Sequence, residues 1–238
     1  MLCMSDLQPP VEEIVETSLR SLWDVVNQLA RLRPPGGDEY RVTIFGSART
    51  RPGDPVYQHV RDLARELATR GCTIVTGGGP GLMQAANEGA QLGAPDNPRN
   101  SIGIRVELPF EQSANPFVEQ AYTHRTFFSR LHHFARLSNA FVVVDGGIGT
   151  TLESLMIWQL LQVRHLENVP LVFVGPMWRG LVTWAREHML KPTPPLANCA
   201  DLDIPTCVDS VAEALAILER SLAAHRSARP AAAHLAAR

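Results

Sequence analysis

The chain has 238 residues, of which 45% are hydrophobic and 19% charged, with a formal net charge of −2. This is the composition of a globular protein that can bury about 70% of its unfolded surface, and it excludes a disordered or fibrous chain. The near balance of 22 basic and 24 acidic side chains gives no bulk attraction to nucleic acid or to an anionic membrane.

Twenty-one of the 22 basic residues are arginine, and the single lysine, Lys191, stands in the proline-rich stretch KPTPP. A Walker A loop needs a lysine on its phosphates and a pyridoxal enzyme needs one as a Schiff base, so neither chemistry is expected. Cys3, Cys72, Cys199 and Cys207 are scattered, with no C-x-x-C pair. They suit neither a zinc site nor a secreted disulfide framework, and no metal or cofactor is expected. The opening residues MLCMSDLQPPVEEIVE lack a basic-then-apolar leader, and no apolar run approaches 18 residues. These features read as a cytoplasmic protein with no membrane partner.

In chain order, Val11, Ile14, Val15, Leu19, Leu22, Trp23, Val26 and Leu29 repeat at helical spacing, and PPGGDE (34–39) ends that helix. From Tyr40, short apolar runs alternate with helical patterns. RVTIFG (41–46) precedes a helix over 56–70, and CTIVTG (72–77) precedes one over about 81–92. SIGIRV (101–106) leads through a long loop to a short strand near 119–123 and a helix over 127–137. AFVVV (140–144) precedes a helix over 150–163, and PLVFVG (170–175) precedes one over 177–189. A last helix spans about 209–223. Strands alternating with helices of this length predict an α/β fold: a Rossmann-like, doubly wound, mostly parallel sheet flanked by helices, with an extra N-terminal helix. The expected divisions are a helical extension (1–39), a nucleotide-binding domain (40–224) and a flexible tail (225–238), which is alanine-rich with a helix-stopping Pro230.

Ligands of such sheets bind beyond the carboxyl ends of the strands. Gly46 and Ser47 follow the first strand, Gly77-Gly78-Gly79-Pro80-Gly81-Leu82-Met83 follows the second, and Asp145-Gly146-Gly147-Ile148-Gly149-Thr150 follows FVVV and opens a helix. Glycines let backbone N–H groups converge on a ligand, and a helix start adds unpaired donors, so a phosphate is the natural guest. Neither loop completes G-x-G-x-x-G, which argues for a mononucleotide or sugar phosphate rather than a dinucleotide. Glu153 has two readings: with Thr150 it spells a capping box, and it also stands where a carboxylate could face the sugar joined to a bound phosphate.

At these residues the sequence resembles the Lonely Guy (LOG) family, long labelled putative lysine decarboxylases. The family pattern P-G-G-x-G-T-x-x-E is matched by DGGIGTTLE (145–153) everywhere but the first position. Arg130 lies fifteen residues before Asp145, where the family has the arginine of an R-K pair, and Leu131 replaces the lysine. GGGPGLM (77–83), FGSAR (45–49) and VELP (106–109) are also similar to family segments. The resemblance spans roughly residues 40–190 and implies hydrolysis of the N-glycosidic bond of a nucleoside 5′-monophosphate, an AMP-like substrate, giving free base and ribose 5-phosphate. It implies Arg130 and Glu153 as catalytic residues, and Gly46, Ser47, Gly78, Gly79, Met83, Gly146, Gly147, Gly149 and Thr150 as substrate- or phosphate-binding. It further implies a homodimer or larger homo-oligomer, and the single lysine, Lys191, independently disfavours a lysine decarboxylase.

Other readings stand beside these. Arg130 could be a solvated helix arginine and Met83 a core residue. His132 and His133 read as packing or solvated residues, whereas His124 and Arg125 are candidate ligand contacts. Leu131 and Asp145, an anion at the mouth of a phosphate loop, keep a second function open. That function is a non-catalytic binder of a nucleotide or phosphorylated cofactor, such as a molybdenum-cofactor carrier of the same fold.

Overall fold

The computed structural model describes residues 11–31, 39–107 and 113–227, with side chains of 22–31 left out. The expectation of a flexible tail lies outside these residues from 228 onward. The chain divides into two compact units, Met1–Pro34 and Pro35–Arg238. In the first, helix α1 spans Val11–Arg31, with Val11, Ile14, Val15 and Leu19 exposed.

The second unit alternates strands and helices: β1 (Tyr40–Phe45), α2 (Pro55–Thr69), β2 (Cys72–Thr76), α3 (Leu82–Gly93), β3 (Ser101–Val106), β4 (Gln120–His124), α4 (Phe127–Leu137), β5 (Ala140–Val143), α5 (Ile148–Gln162), β6 (Leu171–Val174), α6 (Pro176–Met189), α7 (Cys199–Leu202), β7 (Pro205–Val208) and α8 (Val211–Ser227). The seven strands form one sheet in the order β4-β3-β2-β1-β5-β6-β7, and every pairing is parallel. The sheet is therefore wholly rather than mostly parallel.

Both faces of the sheet are covered, which explains its unbroken apolar strands. Successive side chains point to opposite faces. In β1, Val42 and Ile44 pack with α2, α3 and α8, whereas Phe45 packs on the side of α4, α5 and α6. In β5, Ala140 and Val142 join the first layer and Phe141 and Val143 the second. The largest buried side chains, among them Trp178, Phe45, Phe134, Phe141 and Phe173, lie mostly in the second layer.

Two elements escape sequence periodicity. The one-turn α7 is too short for a repeat to register, and β7 opens on Pro205 within DIPTCVD. Strand β7 pairs only with β6 at the sheet edge, where a proline at the first residue is tolerated. Helix α8 also runs past residue 223 to Ser227, since no helix breaker intervenes before Pro230.

From β1 the chain winds outward to β4, then returns to place β5 on the other side of β1. The loop after β1 leads to α2 on one face, and the loop after β5 leads to α5 on the other. Their divergence opens a crevice at the carboxyl edge of the sheet.

Candidate active site

The crevice is built by three loops in contact. The Ser47 N–H donates to the Asp145 carbonyl at 2.8 Å, and the Leu82 N–H donates to the Ser47 carbonyl at 2.8 Å. A Cβ at Gly46 would lie 2.8 Å from Val144 Cγ2 and 2.9 Å from Leu82 Cβ, so only glycine admits this convergence.

Helix α5 starts at Ile148, with Gly147 as N-cap and no side chain capping it. The capping box read from Thr150 and Glu153 does not form, because the helix begins two residues before Thr150. Thr150 is instead buried against Gly146, where a Cβ would come within 2.4 Å of its Oγ1. The first N–H groups of α5 remain donors without an intrahelical acceptor, at the positive end of the helix dipole.

Glu153 is free for the other role. Its Oε1 forms an ion pair with Arg130 Nη1 at 2.9 Å, and both side chains are nearly enclosed, 11% and 13% exposed. Arg130 stands one turn into α4, whose N-cap Thr126 accepts the Ser129 N–H. Its guanidinium is fixed on several sides: Nε donates to the Ile104 carbonyl at 2.8 Å, and the group lies 5.2 Å from the Phe134 ring centre. Nη2 lies against Gly77, where a Cβ would meet it at 2.5 Å. Neither Nη2 nor Glu153 Oε2 makes a hydrogen bond among the described residues. Burial pushes the Glu153 carboxyl above the ordinary carboxylate range, while the charge and hydrogen bond of Arg130 oppose that shift.

A cavity of about 540 Å³ opens on this pair. Of the residues singled out in the sequence, Gly46, Ser47, Met83, Arg130, Gly147, Gly149, Thr150 and Glu153 line it. Gly78, Gly79 and Gly146 do not. The Gly78 N–H already donates to Thr76 Oγ1 at 2.9 Å. Gly77, Ala48, Arg49, Val106, Phe127 and Ile148 also line the cavity. Phe127 carried a usable signal, since it lies three residues before Arg130 on one helix face. Val106 opens the VELP segment and Ile148 is the variable position of DGGIGTTLE, but the sequence singles out neither as a site residue.

The histidines lie elsewhere. His124, read as a ligand contact, is buried, sharing hydrogen bonds with Ser129 Oγ at 3.0 Å and with His133 Nδ1 at 2.8 Å. Burial, helped by the charges of His124, Arg41 and His132, pulls His133 down to about 3. Arg125 is exposed and does not line the cavity. Leu131 is buried and Asp145 lines a separate cavity of about 300 Å³ beside Gly175 and Asp209, so neither residue that departs from the family pattern lines this cavity. Among the described residues no three His, Cys, Asp or Glu side chains gather as a metal site.

Fold and site together define a doubly wound, Rossmann-like α/β protein whose switch-point cleft sets a buried carboxylate–arginine pair beside an uncapped helix start. The chain belongs to the LOG family, whose model, described as "Possible lysine decarboxylase", matches residues 83–218. It is 30% identical over 126 residues to the pyrimidine/purine nucleotide 5′-monophosphate nucleosidase of Escherichia coli (strain K12), a match covering 50% of this chain and 28% of that protein. It is 32% identical over 127 residues to the probable cytokinin riboside 5′-monophosphate phosphoribohydrolase LOGL3 of Oryza sativa subsp. japonica, covering 52% of this chain and 58% of that protein. These matches take in less than two thirds of either relative's length. The molybdenum cofactor carrier protein from Chlamydomonas reinhardtii shares the fold with a TM-score of 0.55 at 21% identity, over 78% of this chain and 99% of that one. No helix among the described residues is long and apolar enough to cross a membrane.

Proposed function

We propose that this protein hydrolyses the N-glycosidic bond of a nucleoside 5′-monophosphate, AMP-like in its base, to free base and ribose 5-phosphate. The observation that carries the reading is the Arg130–Glu153 pair in a cavity that also holds the uncapped start of α5. The 5′-phosphate takes the N–H groups at Gly147–Thr150, with the Ser47 and Arg49 loop beside it. The ribose then lies against Glu153. As the C–N bond breaks, positive charge grows on the sugar and negative charge on the base. The Glu153 carboxylate stabilises the cation and accepts a proton from the water whose oxygen bonds to the anomeric carbon. Glu153 then loses that proton to solvent and the departing base takes one from solvent, so that one water is divided between sugar and base. A guanidinium is a poor proton donor, so Arg130 orients Glu153 and offers Nη2 to an anionic or hydroxyl oxygen rather than supplying a proton.

A decarboxylase dependent on a lysine Schiff base finds no support, since Lys191 does not line the cavity. With Leu131 and Asp145 both outside the cavity, no contact favours the carrier reading over the hydrolase. The free thiols Cys72, Cys199 and Cys207 suit a cytoplasmic setting. A homodimer or larger homo-oligomer is supported by the exposed apolar side chains Ile148, Leu152 and Leu155 of α5 and Phe128 of α4. The deciding experiment incubates the protein with AMP, GMP, CMP, UMP and isopentenyladenosine monophosphate and follows free base by chromatography, with Glu153→Ala as control. Release that vanishes in the control is the expected result. Binding of nucleotide without release moves the assignment to a carrier or sensor.

A further inference from the structure

Helix α3 and the segment leading into β4 carry a buried polar cluster that the proposed reaction does not use. Asn115 donates its backbone N–H to the Gly78 carbonyl at 2.9 Å and its side-chain Nδ2 to the Gly79 carbonyl at 2.9 Å. Nδ2 also donates to Asn87 Oδ1 at 3.0 Å, and Asn115 Oδ1 accepts the Phe117 N–H at 3.1 Å. Asn87, fully buried in α3, accepts from Thr76 Oγ1 at 2.7 Å and donates to Ser101 Oγ at 2.9 Å, and Ser101 Oγ donates to the Phe117 carbonyl at 2.6 Å. Thr76 Oγ1 in turn accepts the Gly78 N–H. Each donor has one acceptor direction, so the amides of Asn87 and Asn115 can sit only one way round.

Gly78 is thereby held by both its N–H and its carbonyl, and Gly79 by its carbonyl. Gly77 lies between this anchored pair and the end of β2, and it is the member of the glycine run that lines the cavity. Its missing side chain is the room taken by Arg130 Nη2 and Met83 Sδ, which a Cβ would meet at 2.5 and 2.7 Å. A small displacement of this loop therefore moves the guanidinium that orients Glu153. We infer that Asn115 is a positioning residue for Arg130, acting through Gly78 and Gly77 and backed by Asn87. The inference rests on the hydrolase reading for its catalytic meaning.

The test uses the full chain with Asn115→Asp, Gly77→Ala and the double variant. Asn115→Asp keeps the shape and the acceptor for Phe117 but removes both side-chain donors to Gly79 and Asn87. Its kcat for base release from AMP should fall about a hundredfold per folded protein, the cost of a misplaced catalytic group. Because a buried carboxyl protonates readily and its O–H is a donor, kcat of Asn115→Asp should partly recover as pH falls, relative to the wild-type profile. Gly77→Ala should lose a similar factor, and the double variant should be no worse than the poorer single, since both act on one guanidinium. Losses that multiply, or an Asn115→Asp enzyme with wild-type kcat at neutral pH, overturn the inference. Should Asn115→Asp not fold, Asn115→Ser enters the same cycle. A wild-type protein that releases no base refutes the hydrolase alone. The positioning role is then read from AMP binding by calorimetry, where both variants should weaken affinity by one common, non-additive factor. Additive weakening, or no AMP binding by the wild type, overturns it.

Discussion

The two glycine-rich loops of the crevice look alike in sequence, but past Gly146, which packs on Thr150, the second is used in the opposite way to the first. In the loop after β2, glycine is demanded by the protein itself. Gly81 has φ +71°, and a Cβ there would lie 2.3 Å from the Ser47 carbonyl, while Gly77 yields its space to Arg130. In the loop after β5, Gly147 adopts a φ of −97° open to any residue, and a Cβ at Gly147 or Gly149 would meet nothing within 4 Å. The fold does not need glycine at those two positions. Their bareness leaves open backbone beside the uncapped helix start, which is where a ligand's phosphate is proposed to approach. Glycine content alone therefore does not distinguish a loop that packs from a loop that binds; the neighbours of each missing Cβ do.

The contrast can be broken or sharpened by substitution. The largest loss of turnover is expected from Glu153→Gln, beyond the open loop: base release from AMP should drop about a hundred- to a thousandfold while AMP binding by calorimetry survives, because shape is kept and charge is lost. Undiminished release would remove Glu153 from the mechanism. Gly81→Ala should next cost the fold rather than the chemistry, seen as a large fall in the thermal midpoint, since it combines a left-handed backbone with a backbone clash. Gly147→Ala should do the reverse. Its midpoint should stay within about 2 °C of wild type, while AMP affinity falls about tenfold, or ~1.4 kcal/mol of crowding against the ligand. Equal affinity would return the second loop to the status of a tight turn.

Smaller effects follow from charge. Burial holds Glu153 protonated to a higher pH than an ordinary carboxylate, and Arg130 counters that. If the ionised form is required, kcat/KM falls as pH drops through the raised value. Arg130→Gln removes the counteracting cation, so the acidic limb of the profile should move to higher pH as well as fall in height. A limb that stays in place would separate Arg130 from the titration. Smallest of all is Asp145→Asn. This exposed carboxylate does not line the site, and its replacement should change KM for AMP by less than about twofold.

Much of this was legible in the residues. The unbroken apolar strands and their alternation with helices specified a doubly wound parallel sheet, because a strand buried on both faces leaves no polar alternation. The resemblance to the LOG family, carried by Arg130 fifteen residues before DGGIGTTLE (145–153), picked out two residues that the fold sets 2.9 Å apart at their charged atoms. The strands and helices were legible because side-chain periodicity is local physics, whereas the Arg130–Glu153 pair was legible only through the family pattern. What only tertiary structure decided is non-local. The helix start at Ile148, which withdrew the capping box, depends on how the β5 loop meets Ser47. The turning of Asp145 and Leu131 away from the cavity depends on packing against other elements. The place of Asn115, more than thirty residues from the glycines it holds, depends on β3 lying beside β2. No single segment encodes those contacts, because each is fixed by two surfaces that meet only when the sheet has formed.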